Sequence, residues 1–289
     1  MTELDESSLY ETVKFITRDE QENITLSSIF LKDGKCAIPA AAVYKVFLFK
    51  DSDNGSLKGV TSLSNTGNIL HCLKFTTEKE EKQFQKLLSG EIPHERIFCV
   101  MGEKKGTELI ASSIKRKRQE TRNYTLMHYE GNSKMLLPPE GLTLVKCGVQ
   151  HLDSLIPLQK GYEFDEVLLS PDDFEEAASR LTLRKALREQ IIYSLFAKTS
   201  SGSFEKTAPV AKAGTNAMGL NWFQLGGIYT VPRYRGLGCA SFLAQTLAKK
   251  ITEAGKKTAL FVKDSNIAAQ KAYAKAGFVK DKPFEIIYY

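Results

Sequence analysis

The segment from Gly226 to Ser241 holds the residues best placed for chemistry: Gly226-Gly227-Ile228-Tyr229-Thr230-Val231-Pro232-Arg233-Tyr234-Arg235-Gly236-Leu237-Gly238-Cys239-Ala240-Ser241. A strand-like run enters a loop with two glycines, and the loop opens an apolar-striped helix. Backbone N–H groups at a helix start have no intrahelical partner, and the helix dipole adds positive potential there. Such a start attracts anions. Gly236 and Gly238 let the backbone close on a phosphate, and Arg235 adds a charge-assisted donor. The chemistry predicted is a pyrophosphate cradle; the plainer alternative is a tight strand-to-helix turn. A dinucleotide fingerprint is excluded, because Ser241 stands where its third glycine would be. A P-loop is excluded too, since no Gly-Lys-Ser/Thr follows.

Few other residues offer a reaction. The four histidines, His71, His94, His128 and His151, include no i,i+4 pair, which excludes a zincin site. The five cysteines, Cys36, Cys72, Cys99, Cys147 and Cys239, form no CxxC pair. Their scatter and odd number argue against a disulfide framework or a zinc module, and no metal is expected. Cys239 reads as a small packing residue rather than a nucleophile. Lys115-Arg116-Lys117-Arg118 has no interleaved aromatic residue and reads as a solvated last helical turn, not a nucleic-acid patch. Trp222 reads as a core residue, with a pocket-lining role as the alternative.

The glycine loop resembles motif A of the GNAT N-acetyltransferase superfamily, Arg/Gln-x-x-Gly-x-Gly/Ala. The register from Arg235 through Gly238 to Ala240 is preferred over the one from Arg233 through Gly236 to Gly238. A second stretch, Asn266-x-x-Ala269-x-x-x-Tyr273-x-x-x-Gly277-Phe278, resembles motif B of the same superfamily. The resemblance covers about Leu142–Tyr289. It implies an α/β (α+β) fold, the GNAT acyl-CoA N-acyltransferase fold, with a mixed, mostly antiparallel sheet flanked by helices. It implies acetyl-CoA as cofactor. Arg235, Gly236, Leu237, Gly238, Cys239, Ala240 and Ser241 are implied at its pyrophosphate, and Ile228, Tyr229 and Thr230 along the pantetheine arm. Asn266 is implied as a cofactor contact, and Tyr273 as the general acid near the sulfur.

The base is less marked. The strand before motif B, Leu260-Phe261-Val262, lacks the glutamate that some members carry there. Glu163 and Glu166 lie on helices that border the acceptor site in such proteins. Glu166 is the candidate base, with a solvated helical face as the alternative. The segments Gly226–Pro232 and Val210-Ala211-Lys212-Ala213 resemble a bacterial two-domain subgroup, whose first domain is a degenerate copy of the same fold. The activity implied is transfer of acetyl directly from acetyl-CoA to a primary amine of a small-molecule or peptide acceptor. Proximity, a polarising strand N–H and an acid for the thiolate would drive it. The alternative is a non-catalytic acyl-CoA-binding regulatory module.

Both halves of the chain must supply mixed α/β scaffolds. Turn formers and two prolines between Gly131 and Gly141 predict a boundary, giving domains 1–134 and 135–289. In the first, helices are predicted over Ser7–Arg18, Gln21–Leu31, Glu78–Leu88 and Gly106–Lys117, with strands between. In the second, strand Leu142–Cys147 precedes helices His151–Leu168 and Pro171–Arg188. A hairpin follows, from Gln190–Lys198 through a turn at Thr199–Ser203 into Phe204–Gly214. Then come strand Asn221–Thr230, helix Gly236–Ala254, strand Thr258–Val262, helix Ile267–Ala276 and strand Phe284–Tyr289.

The chain has 289 residues, 42% hydrophobic and 26% charged, which suits two ordinary globular domains. Its +6 charge is uneven: 20 basic against 19 acidic residues up to Lys134, and 20 against 15 after it. The excess sits in the half expected to hold an anionic cofactor. The acidic start Met1–Glu6 lacks the features of a signal peptide, and the run Ala37–Phe49 is too short to span a bilayer. A cytoplasmic protein without membrane or nucleic-acid partners is the expectation.

Overall fold

The computed structural model describes residues 1–201 and 204–289. The first half of the chain runs β1 (Thr2–Glu3), α1 (Leu9–Ile16), α2 (Ile24–Ser28) and a small hairpin of β2 (Leu31–Lys32) and β3 (Lys35–Cys36). It continues β4 (Tyr44–Lys50), β5 (Leu57–Ser64), β6 (Asn68–Leu73), α3 (Glu78–Glu91), β7 (Cys99–Glu103), α4 (Lys104–Ala111) and β8 (Glu120–Tyr129). The second half runs β9 (Leu142–Cys147), α5 (Leu152–Tyr162), α6 (Glu176–Glu189), β10 (Ile192–Ser201), β11 (Phe204–Met218) and β12 (Trp222–Thr230). It ends with α7 (Cys239–Glu253), β13 (Lys257–Lys263), α8 (Ile267–Ala276) and β14 (Phe278–Tyr288). Apart from the small hairpin, both halves share one order: strand, two helices, three strands, helix, strand, helix, strand.

The chain forms two compact units. Met1–Leu126, Gly219–Trp222 and Asp281–Tyr289 make the first, and Met127–Met218 with Phe223–Lys280 the second. The first crossing thus falls at Leu126, ahead of residue 134, and two later pieces return to the first unit.

In the first unit β4, β5 and β6 are antiparallel neighbours, with Phe47 opposite Thr61 and Thr61 opposite His71. β6 then runs parallel to β7. The C-terminal stretch Phe284–Tyr288 pairs antiparallel with β7. The two-residue strand period sends Val46 and Leu48 of β4 into one core with Phe15, Ile16 and Phe30. Phe49 goes to another, with Phe84, Leu88 and Ile110. α3 starts with a capping box: Thr77 accepts from the Glu80 N–H while Glu80 reaches back to the cap.

In the second unit β9 to β13 lie side by side in chain order. Leu195 of β10 faces both Leu144 of β9 and Ala211 of β11. The β11–β12 register slips: Lys212 faces Tyr229, but Gly214 faces Gly226. Two residues, Gly227 and Ile228, therefore oppose one, a β-bulge. Gly227 takes a φ of 61°, which glycine adopts without strain. α7 buries Phe242, Leu243, Leu247 and Ile251, the predicted stripe, in the main core of this unit.

Several expected boundaries shift. α8 matches its predicted span, because Asn266 caps it and Gly277 ends it at φ 98°. The Gly106–Lys117 helix is instead Lys104–Ala111, so Lys115–Arg118 lies beyond its end rather than in its last turn. Two of those basic residues serve local structure. Arg116 donates to the Ile97 carbonyl at 2.8 Å, and Arg118 pairs with Glu108 at 2.6 Å. The helix predicted to reach Leu168 becomes α5 plus a single π-helical turn, Glu163–Val167. Ser170 caps only a short 3-10 turn, Pro171–Asp173, and α6 begins at Glu176. β14 starts at Phe278, six residues before the prediction; the polar run around Pro283 hid it. Gly202 and Ser203, at the tip of the expected Thr199–Ser203 turn, lie outside the described residues. No helix among the described residues is long and apolar enough to cross a membrane. No described cluster of His, Cys, Asp or Glu could hold a metal ion, and all five cysteines are free.

Candidate functional site

The glycine loop lies where the sequence places it, between β12 and α7. Val231 leads into a 3-10 turn, Pro232–Tyr234, and the loop then opens α7. Gly236 and Gly238 sit at φ 81° and 86°, the left-handed region. An added Cβ at either would meet nothing within 4 Å, so packing alone does not demand glycine at these positions. No side chain caps α7 and no acidic residue lies in its first turn. Its leading N–H groups are thus left for an anion. α3, at the same place in the first half, differs. There the Glu80 carboxylate accepts from the N–H groups of Thr76 and Thr77, at 2.7 and 3.0 Å, so the chain supplies its own anion.

The side chains along the predicted cradle divide. Leu237 is exposed, whereas Cys239 and Ser241 are buried, so only the backbone of the latter pair can face a ligand. Burial pushes the Cys239 thiol up, consistent with a packing role. Ile228 packs on the core of the second unit. Arg235 donates from Nε to the Thr230 carbonyl at 3.1 Å and lies over the Tyr229 ring at 5.6 Å. Its guanidinium also pairs with Asp165 at 2.7 Å, which raises its pKa further. Gly161 of α5 admits the Tyr229 hydroxyl; a Cβ there would lie 2.4 Å from it.

The motif-B residues lie close to Glu166. Asn266 caps α8 by accepting from the Ala269 N–H at 3.0 Å, and its Nδ2 donates to Glu166 Oε1 at 3.0 Å. Lys263 pairs with Glu166 Oε2 at 3.1 Å. Tyr273 is buried in the same core as α7, and burial pushes its hydroxyl pKa up. Negative charge at Glu166 and the neighbouring Tyr162 push it the same way. Glu166, Asn266 and Tyr273 are therefore brought together. Trp222 is half-buried and belongs to the first unit.

Sequence reasoning missed a cavity of ≈ 340 Å³ between α5, α6 and the strands β10 to β12. Only two of its lining residues are charged, Glu163 and Lys212. Lys212 is only 4% exposed. Its Nζ donates to the Gly227 carbonyl at 2.9 Å and sits 4.9 Å from the Tyr162 ring centroid. Burial lowers its pKa to about 8, against an opposing pull from Glu163. Glu163 Oε1 accepts from Gln159 and from Ser179. One signal was available: a lone lysine inside the apolar run Val210-Ala211-Lys212-Ala213.

Residues 205–286 match the family model of FR47-like protein. No curated protein matches the chain in sequence. Solved structures resemble it over its whole length at low identity. An acetyltransferase of the GNAT family from Colwellia psychrerythraea is 14% identical, with a TM-score of 0.54, covering 100% of this chain and 99% of its own. A tandem GNAT protein from the clavulanic acid biosynthesis pathway is 10% identical at TM-score 0.57, covering 99% and 96%. A Drosophila protein is 11% identical at TM-score 0.65, covering 100% and 98%. Strand order, the glycine loop between β12 and α7, and these full-length likenesses agree: the chain has the GNAT acetyltransferase fold, with an FR47-like segment in its second half.

Proposed function

We propose that the protein is an acetyl-CoA-dependent N-acetyltransferase that moves an acetyl group directly onto a primary amine, with the chemistry confined to the second unit. One observation carries this reading. α7 has an uncapped start behind two left-handed glycines and beside Arg235, while the corresponding α3 start is filled by Glu80. The residues fit a pyrophosphate: open N–H groups, no competing carboxylate in the first turn, and no side chain that fills the space. Gly236, Gly238 and the backbone of Cys239, Ala240 and Ser241 would hold it, with Arg235 alongside. Ile228, Tyr229 and Thr230 would border the rest of the cofactor.

Bound acetyl-CoA supplies the thioester. In this reading a backbone N–H of β12 near the Gly227 bulge, where the β11 register slips, would steady negative charge developing on a carbonyl oxygen. The cavity beside it holds the acceptor amine close and partly dry. Tyr273 is the general acid: its raised pKa keeps the hydroxyl protonated and ready to donate to a departing thiolate. Glu166 has both oxygens engaged, one by Asn266 and the other by Lys263. We assign it to holding Asn266 and Lys263 rather than to proton removal. The acceptor is a small-molecule or peptide amine. Titration calorimetry with acetyl-CoA, followed by CoA release over an amine panel, tests the whole reading. Binding without turnover on any amine would favour a regulatory acyl-CoA-binding module; no binding would overturn both.

A further inference from the structure

Lys212 meets, inside the protein, the requirements of an acceptor amine. It lines the cavity, is desolvated, and its Nζ lies against β12: a Cβ built on Gly227 would sit 3.1 Å from it. The hydrogen bond to the Gly227 carbonyl fixes it at the bulge, and the Tyr162 ring covers one side. The titratable groups around it are Glu163 and Tyr162 from the α5 side and Tyr229 opposite it on β12. We propose that Lys212 is itself an acetyl-acceptor site, modified from acetyl-CoA when no amine substrate fills the cavity. This rests on the acetyltransferase reading above.

The step balances without a further reagent. The neutral Nζ attacks the thioester carbonyl carbon, a C–N bond forms and the C–S bond breaks. One proton leaves Nζ and one reaches the thiolate, giving Nε-acetyl-lysine and CoA thiol. Burial supports the step, because a lysine lowered from 10.5 to about 8 is neutral about two orders of magnitude more often at pH 7 than a solvated one. Acetylation would remove one of the cavity's two charged groups and fill part of its volume, so the modified protein would bind acceptors differently.

Peptide mapping by mass spectrometry tests this on the full chain, incubated at pH 8 with acetyl-CoA and no amine. Lys79 and Lys82, about four-fifths exposed, serve as internal references. Acetyl should appear on Lys212 at least about tenfold faster than on either, given its neutral fraction. Excess CoA, competing for the same cradle, should suppress it. Lys212→Arg should carry no acetyl at that position; should it fail to fold, the wild-type map decides alone. If calorimetry shows acetyl-CoA bound while Lys212 is labelled no faster than Lys79, this proposal is overturned and the acetyltransferase reading stands. If acetyl-CoA does not bind, both fall.

Discussion

Tyr273 and Lys212 carry opposite consequences of the same physics, since burial disfavours whichever form is charged. For Tyr273 the charged form is the anion, so burial preserves the proton an acid must give. Tyr273→Phe should lower kcat about a hundredfold, the usual weight of a general acid, and leave acetyl-CoA affinity within about twofold. Steady-state kinetics paired with calorimetry separates the two; unchanged kcat removes Tyr273 from the chemistry. For Lys212 the charged form is the cation, so its folded-state pKa drops from 10.5 to about 8. The unfolded chain then holds more protons between those values, and stability rises with pH across that window. Below pH 8 the full cost applies, on the order of 3 kcal/mol. Lys212→Met should therefore raise stability at pH 7 and flatten the slope between pH 8 and 10. Denaturant unfolding at several pH values measures this, and equal slopes in both proteins would contradict it.

At the scale of elements, the glycine loop and the π-helical turn Glu163–Val167 are linked. Arg235 pairs with Asp165 from that turn, although it is also the side chain proposed for the pyrophosphate. The pair is about half exposed, so its worth is ~1 kcal/mol or less. Asp165→Asn should free Arg235 and tighten acetyl-CoA binding about two- to fourfold at low salt, with the gain fading as salt rises. Affinity that weakens instead would show that the pair holds Arg235 in its binding position. Elements of this kind also show how far the sequence could be read. The α8 span was legible because Asn266 and Gly277 mark its ends by chemistry, and α7 because its stripe has a helical period. The π-helical turn was not, since Tyr162-Glu163-Phe164-Asp165-Glu166 keeps a helical composition while the hydrogen bonding changes. The cavity was illegible for a different reason. Lys212, Glu163 and Tyr162 converge only after β11 packs under α5, and no spacing along the chain encodes that meeting.

At the scale of the molecule, the chain crosses between its compact units more than once. Gly219–Trp222 and Asp281–Tyr289 belong to the first unit although they flank the site elements β12 and α8 in sequence. Within the first unit, Glu20 secures one of these pieces. Its carboxylate is almost fully buried and accepts from the Leu220 N–H, from the Asn221 N–H and side chain, and from Ser27 Oγ at 2.6 Å. Glu20→Ala removes the carboxylate acceptor of the buried Ser27 hydroxyl and of the part-buried donors at residues 220 and 221, at roughly 1–3 kcal/mol for each group that water cannot reach. It should lower the melting temperature by several degrees or more. The same reasoning reaches the excised fragment 135–289. That fragment loses the partner of its last strand, because Phe284–Tyr288 pairs with β7, and it loses the carboxylate that holds residues 220 and 221. It should be poorly soluble or unfolded by circular dichroism, while the full chain melts cooperatively. A fragment that folds and binds acetyl-CoA like the whole protein would show that the crossings are incidental. A fragment that fails would show that the second half depends on the first for the strand that pairs with Phe284–Tyr288.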